Sequence, residues 1–346
     1  MLHSKIKQKI SEPAFPNEGK ERKRVLGYDE AIREALQLAM SQDKRVFIIG
    51  QGVDDPDGMF GATKNLHLQF GRERVFDTPL SEGALTGITV GAALAGMRPV
   101  YFHNRPDFLM LAMDQLVNHA SKWSFMFGGS KNVPLVIWAC IGRGWGAAAQ
   151  HSQALQGLFM HVPGLKLVMP STCYDAKGLM LSAIADQNPV LILDHRLNFN
   201  NLGFVPPESY TVPIGKGVIR RKGKDVTIVT VSHLVIDAFN AAQEAAAYGI
   251  EAEVIDLRTI RPLDEKIILD SVAKTRRLII ADCGWKTGGI TAEIGAMVAE
   301  KCFSYLKAPI KRIACPDLPT PAAHNLEKAY YIGKNDIKKA LMELTR

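Results

Sequence analysis

The chain is expected to be an α/β protein built from two doubly wound domains. Three observations carry that expectation. Apolar runs of strand length alternate with helical periodicities from Tyr28 to Leu193, Gly203–Gly215 interrupts them with three prolines, and the alternation resumes from Val226 to Glu343. Such alternation is the pattern of a mainly parallel sheet covered by helices, and 346 residues suffice for two cores.

Taken in order, Met1–Arg24 is a basic leader interrupted by Pro13 and Pro16, expected to be a flexible arm. Tyr28–Ser41 places Ala31, Ala35, Leu38 and Ala39 on one side of an amphipathic helix. Arg45–Gly50 is a short apolar strand, followed by the turn-rich loop Gln51–Thr63. A helix over Asn65–Phe70 and a strand over Arg74–Phe76 lead into DTPLSEGALTGITVGAALAG, Asp77–Gly96. There Ser81 stands as N-cap, Glu82 opens a helix, and Gly83, Gly87 and Gly91 share one face. Helix-interior glycine costs about 1 kcal/mol against alanine, so a close neighbour is expected on that face.

A strand at Pro99–His103, a helix at Phe108–Trp123 and the apolar strand Val133–Ile141 follow. Gly142–Gln153, GRGWGAAAQHSQ, superficially has the look of a dinucleotide-binding turn, but its third glycine is misplaced and no ribose-binding acid follows. It reads better as a mobile loop leading to a helix that carries His151. A strand at Leu165–Met169, a helix at Tyr174–Ile184 capped from Ser171-Thr172 and a strand at Val190–Leu193 complete the first half. The second half has strands at Val226–Val231, Glu251–Asp256, Leu278–Asp282 and Ile310–Cys315, with helices at Val235–Tyr248, Ile290–Lys301 and Asn335–Glu343. The domain boundaries are therefore a leader at 1–24, a first domain at 25–203, a linker at 204–215 and a smaller domain at 216–346. The smaller domain shows no converging catalytic set and is assigned to packing and assembly.

Composition narrows the function classes. The content of 47% hydrophobic and 22% charged residues is that of a globular protein. Much of the net charge of +7 lies in Met1–Arg24 and Lys216–Lys224 without interleaved aromatics, so nucleic acid is not an expected partner. The five cysteines are scattered without a CxxC pair, which indicates free thiols in a reducing compartment and no zinc site. No apolar run approaches the roughly 20 residues of a membrane span. The leader lacks a secretory apolar core and carries Glu12, Glu18 and Glu21, so a cytoplasmic location is expected.

Glu82 by itself has two readings, a first-turn acid that favours the helix dipole or a catalytic carboxyl at a strand–helix junction. The phrases around it decide. Asp77–Gly96, DFLMLAMDQLVNHASK at Asp107–Lys122, AQHSQ at Ala149–Gln153, HVPGLKLVMPSTCYDAKGL at His161–Leu179 and AIADQNPV at Ala183–Val190 stand in an order that resembles the beta subunit of thiamine diphosphate-dependent 2-oxo acid dehydrogenases, the pyruvate and branched-chain type, within the transketolase-like group. The resemblance runs from about Tyr28 to the C-terminus, where TVPIGKG and DLPTPAAHNLE continue it.

That resemblance implies a transketolase-like pyrimidine-binding domain, a transketolase-like C-terminal domain and an alpha2-beta2 heterotetramer with the cofactor at the subunit interface. The alpha subunit would hold the diphosphate and magnesium, and no GDG with a following asparagine segment occurs here. Glu82 matches the glutamate that shares a proton with N1′ of the aminopyrimidine. Phe108 matches the aromatic residue packed on that ring, and Leu80 and Asn104 fall where the family contacts it. His151 matches a histidine suited to proton transfer as the acyl group leaves. Asp186 and Asn188 sit where relatives help to bind a structural potassium ion. The glycine face could serve a subunit contact or close packing within one domain.

Three departures qualify the match. Gln51 replaces a usual Glu and precedes a loop with Asp54, Asp55 and Asp57; YFHNRPDF brings His103 and Arg105 to the pyrimidine pocket; and Arg143 and Trp145 precede His151. Extra donors and cations of this kind suit recognition of a carboxylate, a phosphate or a sugar by His103, Arg105 and Arg143. The expected reaction is decarboxylation of a 2-oxo acid with transfer of the acyl unit to an acceptor such as the lipoyl domain of an acyltransferase. The alternatives are transfer of a two-carbon or acyl unit to a non-lipoyl acceptor such as a sugar, a non-catalytic scaffold subunit, and a nicotinamide-binding oxidoreductase.

Overall fold

The computed structural model describes residues 24–143 and 146–345; the leader's first 23 residues and Trp145 lie outside the described residues. The contacts divide the chain into two units, one of Met1–Ile141 with Phe159–Ile214 and one of Gly142–Leu158 with Gly215–Arg346. Each follows from its own pattern of apolar runs.

In the first unit, strands Lys166–Val168, Val190–His195, Val136–Ile141, Arg98–His103, Val46–Gly50 and Val75–Phe76 lie side by side in that order, all parallel. The central runs are apolar at nearly every position because both faces of the sheet are covered. Phe102 and Trp138 point to one face, ring to ring at 4.6 Å, into a core shared with helices Tyr28–Gln42 and Cys173–Ala185. Tyr101 and His103 point to the other face. Helix Glu82–Leu94 covers the sheet there, packed against strand 98–103 and against the segment 106–120.

Two polar groups fasten the first core. Asp194 accepts hydrogen bonds from Tyr28 Oη at 2.5 Å and Trp138 Nε1 at 2.6 Å, and burial pushes its carboxyl up to about 6. Lys177, completely buried in the middle of a helix, donates to Glu34 and to the Pro206 carbonyl at 2.5 Å each. A lone buried ammonium would cost several kcal/mol, and these partners are what make its burial tolerable. They also show why 203–215 is no free tether: Val205, Tyr210 and Val212 are buried against the first unit, and Tyr210 Oη donates to the Tyr174 carbonyl at 2.8 Å.

The second unit has strands Lys311–Cys315, Leu278–Trp285, Val226–Thr230, Ala252–Asp256 and Val218–Arg221 in that order, the last antiparallel and the rest parallel. The edge strand 218–221 falls inside the run read above only as basic charge. Arg220 turns inward to pair with buried Asp256 at 2.8 Å, and Arg221 pairs with Glu251 at 2.6 Å. Charged edge strands resist pairing with other chains, which is also why they escape an apolar-pattern search. Helices Glu265–Thr275 and His324–Tyr330 were likewise not anticipated.

Several local expectations are corrected. The helix foreseen at 108–123 is a succession of Pro106–Leu109, a tight 3-10 turn at Met110–Ala112 and a wide π-helical stretch at Asp114–Ala120. The Ser81 side chain makes no capping hydrogen bond, whereas Thr172 Oγ1 does accept one from the Asp175 amide. The glycine face is tight at one position only. A β-carbon on Gly83 would stand 2.9 Å from the Leu111 carbonyl oxygen; on Gly87 it would make an ordinary 3.7 Å contact with Gln115; on Gly91 it would meet nothing within 4 Å. All five cysteines are free and buried, as expected.

Candidate active site

After strand 46–50 the chain turns to one side of the first sheet, into 75–76, and after strand 98–103 it turns to the other, into 136–141. Open α/β sheets bind ligands in the crevice at such a reversal, beyond the carboxyl ends of the strands. Gln51 and Asn104 are the residues immediately past those two ends, and Asn104 Nδ2 donates to Gln51 Oε1 at 3.0 Å. The shortened Asn104 and the unusual Gln51 thus satisfy each other as an uncharged pair.

Glu82 is half-buried at the first position of helix 82–94, where the free amides of the first turn favour an anion. It lies near Tyr101, whose phenol is pushed up chiefly by burial and further by the Glu82 charge. The Tyr101 and His103 rings are 4.2 Å apart. Burial drives the His103 imidazolium down to about 3, so at neutral pH His103 is an uncharged ring, and its Nε2 has no hydrogen-bond partner among the described residues. An uncharged imidazole can donate or accept a hydrogen bond.

Leu80, two residues before Glu82, is 78% exposed, and Phe108, just past strand 98–103, is 36% exposed. A flat nitrogen heterocycle fits this set, with apolar surface for its faces and a carboxyl, an amide and an unpartnered imidazole nitrogen for its edge. Arg105 is half-buried and borders Cys140 together with Arg196; burial first, then Arg105, holds the Arg196 guanidinium below its ordinary value. Two neighbouring guanidiniums at the carboxyl end of the sheet suit an anion.

Asp186 and Asn188 form a tight turn, the Asn188 amide donating to Asp186 Oδ1 at 2.9 Å. Lys166 Nζ takes Asp186 Oδ2 at 2.5 Å, and Arg98 donates to the carbonyls of Ile184 at 2.7 Å and Asp186 at 3.0 Å. Asp186 Oδ2 and the two carbonyls are thus shared with cationic side chains, while Asp186 Oδ1 is shared with the Asn188 amide.

Arg143 and His151 belong to the second unit. His151 is exposed and stands in a turn; the helix expected to carry it begins only at Gln156. The polar run that precedes Gln156 has no apolar stripe to hold it against a core, so it stays irregular. The Arg143 guanidinium lies over the Tyr331 ring at 4.6 Å and near His233 and Asp237. It is packed into the unit instead of standing out to meet solvent.

Near the same segment is a cavity of about 240 Å³ lined by residues that include Leu155, Leu158, Asp282, Trp285 and Gly289. Asp282 Oδ1 accepts from Gln156 Nε2 at 2.8 Å, and burial raises the Asp282 carboxyl to about 6. Because the folded value exceeds the unfolded value of roughly 4, the native state binds more protons between them. This group's contribution to stability is therefore fully present below pH ~4 and lost as the pH rises through 6. Asp282→Asn should remove that dependence, so its stability relative to wild type should rise by about 2 kcal/mol between pH 4 and pH 8. Urea melts of both proteins across that range check it, and a difference that does not vary with pH would refute it.

With fold and crevice described, the class is clear. Residues 24–201 match the transketolase pyrimidine-binding domain and residues 215–337 the transketolase C-terminal domain, so the chain belongs to the transketolase family. A split-gene transketolase, solved as an inactive beta4 tetramer, superposes with a TM-score of 0.73 at 21% identity, covering 93% of this chain and 99% of that one, and shares the fold.

Within that class the chain is similar to the beta subunit of acetoin:2,6-dichlorophenolindophenol oxidoreductase from Bacillus subtilis (strain 168), at 44% identity over 93% of this chain and 97% of the relative. It is 40% identical to the 2-oxoisovalerate dehydrogenase subunit beta of the same organism, over 92% and 98%. It is 42% identical to the pyruvate dehydrogenase E1 component subunit beta of Rickettsia felis, over 91% and 97%. The chain is a member of the beta-subunit family of thiamine diphosphate-dependent 2-oxo acid dehydrogenases. No helix among the described residues is long and apolar enough to cross a membrane.

Four residues of interest escaped the sequence reading. Tyr101 was accessible in principle, two positions before His103 on a strand. Arg196, Asp282 and Tyr331 carried no local signal, since each matters through a partner far away in sequence.

Proposed function

We propose that this chain provides the pyrimidine-binding half of a thiamine diphosphate site completed by an alpha subunit in an alpha2-beta2 heterotetramer. The observation that carries the reading is Glu82 at a helix start beside the reversal of the sheet, with exposed Leu80 two residues before it and exposed Phe108 four residues past Asn104. When bound, the cofactor supplies a carbon nucleophile for the substrate carbonyl. Glu82 holds a proton at N1′ of its pyrimidine, which requires a carboxyl that can both give and accept it. Phe108 and Leu80 pack on the ring and exclude water from it. Asn104, oriented by Gln51, and neutral His103 set its edge. Magnesium is assigned to the alpha subunit, in keeping with the missing GDG segment.

Arg105 suits the carboxylate of a 2-oxo acid, and His151 suits proton transfer as the acyl unit departs. The acceptor in this reading is a lipoyl domain, and the setting is cytoplasmic. One observation favours a second acceptor class: a relative at 44% identity is named for acetoin and a dye.

Reconstitution with the alpha subunit, thiamine diphosphate and magnesium tests both readings. Pyruvate, 2-oxoisovalerate and acetoin would be offered in turn, with lipoyl domain, an aldose or dichlorophenolindophenol as acceptor. Rapid reductive acylation of the lipoyl domain by a 2-oxo acid is the expected result. Turnover with the sugar and none with the lipoyl domain would replace it with the transferase alternative.

A further inference from the structure

The second unit holds the cavity of about 240 Å³ described above, and the thiamine chemistry makes no use of it. Its lining residues all fall within 154–158 and 282–289, inside that unit. The volume is small beside the roughly 300–1,000 Å³ of drug-sized sites, so it suits a molecule of about amino-acid size. We propose that this cavity is a binding site for a free α-amino acid with an aliphatic side chain.

One wall asks for a hydrogen-bond donor. Asp282 is 1% exposed; its Oδ1 takes the Gln156 amide at 2.8 Å, while its Oδ2 has no hydrogen-bond partner among the described residues. The amides of Cys283 and Gly284 lie near this carboxyl, but neither meets Oδ2 in hydrogen-bonding geometry. Buried polar atoms are nearly always paired, and a protonated amine would supply both the hydrogen bond and the opposite charge. Two lining positions without side chains leave Oδ2 uncovered: β-carbons on Gly284 and Gly289 would stand 2.9 Å and 3.9 Å from it.

The facing wall asks for an anion. Gly288 and Gly289 line the cavity and lead into helix Ile290–Cys302, whose N-cap Gly289 has no side chain to offer the first-turn amides. Such amides favour a carboxylate. The acid and the helix start are close enough for one ammonium and its own carboxylate to meet both. Leu155, Leu158 and Trp285 add apolar surface for a side chain. The Trp285 ring is held in place, its Nε1 donating to the Leu318 carbonyl at 3.0 Å and to the Tyr330 hydroxyl at 2.9 Å.

Isothermal titration calorimetry of the full-length chain with L-leucine gives the test. Leucine should bind. Isoamylamine, which lacks the carboxylate, and isocaproate, which lacks the ammonium, should each bind about tenfold more weakly or worse. Asp282→Asn keeps the shape of the acid without its charge and should weaken leucine by about tenfold or more. In the wild type, leucine should slow amide exchange over 154–158 and 282–291.

No detectable binding of leucine up to about 10 mM would overturn the proposal. So would either truncated analogue binding as tightly as leucine, or undiminished binding by Asp282→Asn. Leu158 is half-exposed on the cavity wall, so Leu158→Arg can obstruct the cavity without disturbing the core. If Asp282→Asn melts early, that second variant decides, with lost binding supporting the site and wild-type binding overturning it. The titration needs neither alpha subunit nor thiamine diphosphate, so its outcome is independent of the function proposed above.

Discussion

Glu82→Gln should lower the turnover of the reconstituted complex by roughly 10²–10⁴-fold, the range attributed to general acid–base catalysis by one positioned group. The substitution keeps size and hydrogen-bonding capacity but cannot pass a proton, so the loss should fall on kcat. Glu82 is only half-buried, so the variant should assemble and melt like wild type. Steady-state kinetics beside a thermal melt checks both halves of the claim. Undiminished turnover would leave the acid as an ornament of the helix dipole and favour the scaffold reading.

Gly50→Ala should destabilise the first unit by about 3 kcal/mol or more. Gly50 ends strand 46–50 with φ +148°, where a side chain is strained, and an added β-carbon would stand 2.4 Å from the Phe102 carbonyl oxygen and 3.0 Å from the Phe102 β-carbon. Phe102 is completely buried against Trp138 on the neighbouring strand, so it has nowhere to move. Denaturant unfolding gives the number, and a midpoint indistinguishable from wild type would contradict it. Because Gln51 follows Gly50 and holds Asn104, the same variant should bind thiamine diphosphate more weakly once reconstituted.

Both predictions concern residues that stood out in the sequence, one as an acid opening a glycine-rich helix and one as the glycine closing an apolar run. Their surroundings were less accessible. The helix start at Glu82 could be placed because a turn, an acid and a helical period coincide within a few residues. The irregular course of 106–120 could not, since Leu109, Ala112, Leu116 and Ala120 have the spacing of a regular helix and are indeed buried. That stretch also passes close to another helix, at Gly83 and Leu111, a contact that no local pattern encodes.

His103 and Arg143 teach the same lesson about charge. Residue type alone offers both as donors or cations for a substrate. Burial leaves His103 neutral, and Arg143 spends its guanidinium on Tyr331. At Asp186, Lys166 holds one carboxylate oxygen and Arg98 the carbonyl, contacts that residue type alone does not announce. A titratable group's charge and its availability depend on solvent access and on neighbours, which are properties of the folded environment.

The order of apolar runs and turns by itself indicated a two-unit α/β protein, and the resemblance of its motifs pointed to the thiamine-dependent dehydrogenase type, with Glu82 as the expected carboxyl. Those signals are local, and hydrophobic periodicity and turn chemistry act over a handful of residues. Only the tertiary structure decided that Gln51 meets Asn104, that Arg143 lies over the Tyr331 ring, and that burial pushes the Asp282 carboxyl up to about 6. Each of those joins groups distant in the chain or depends on how much water the fold excludes, and neither is written in any one stretch of residues.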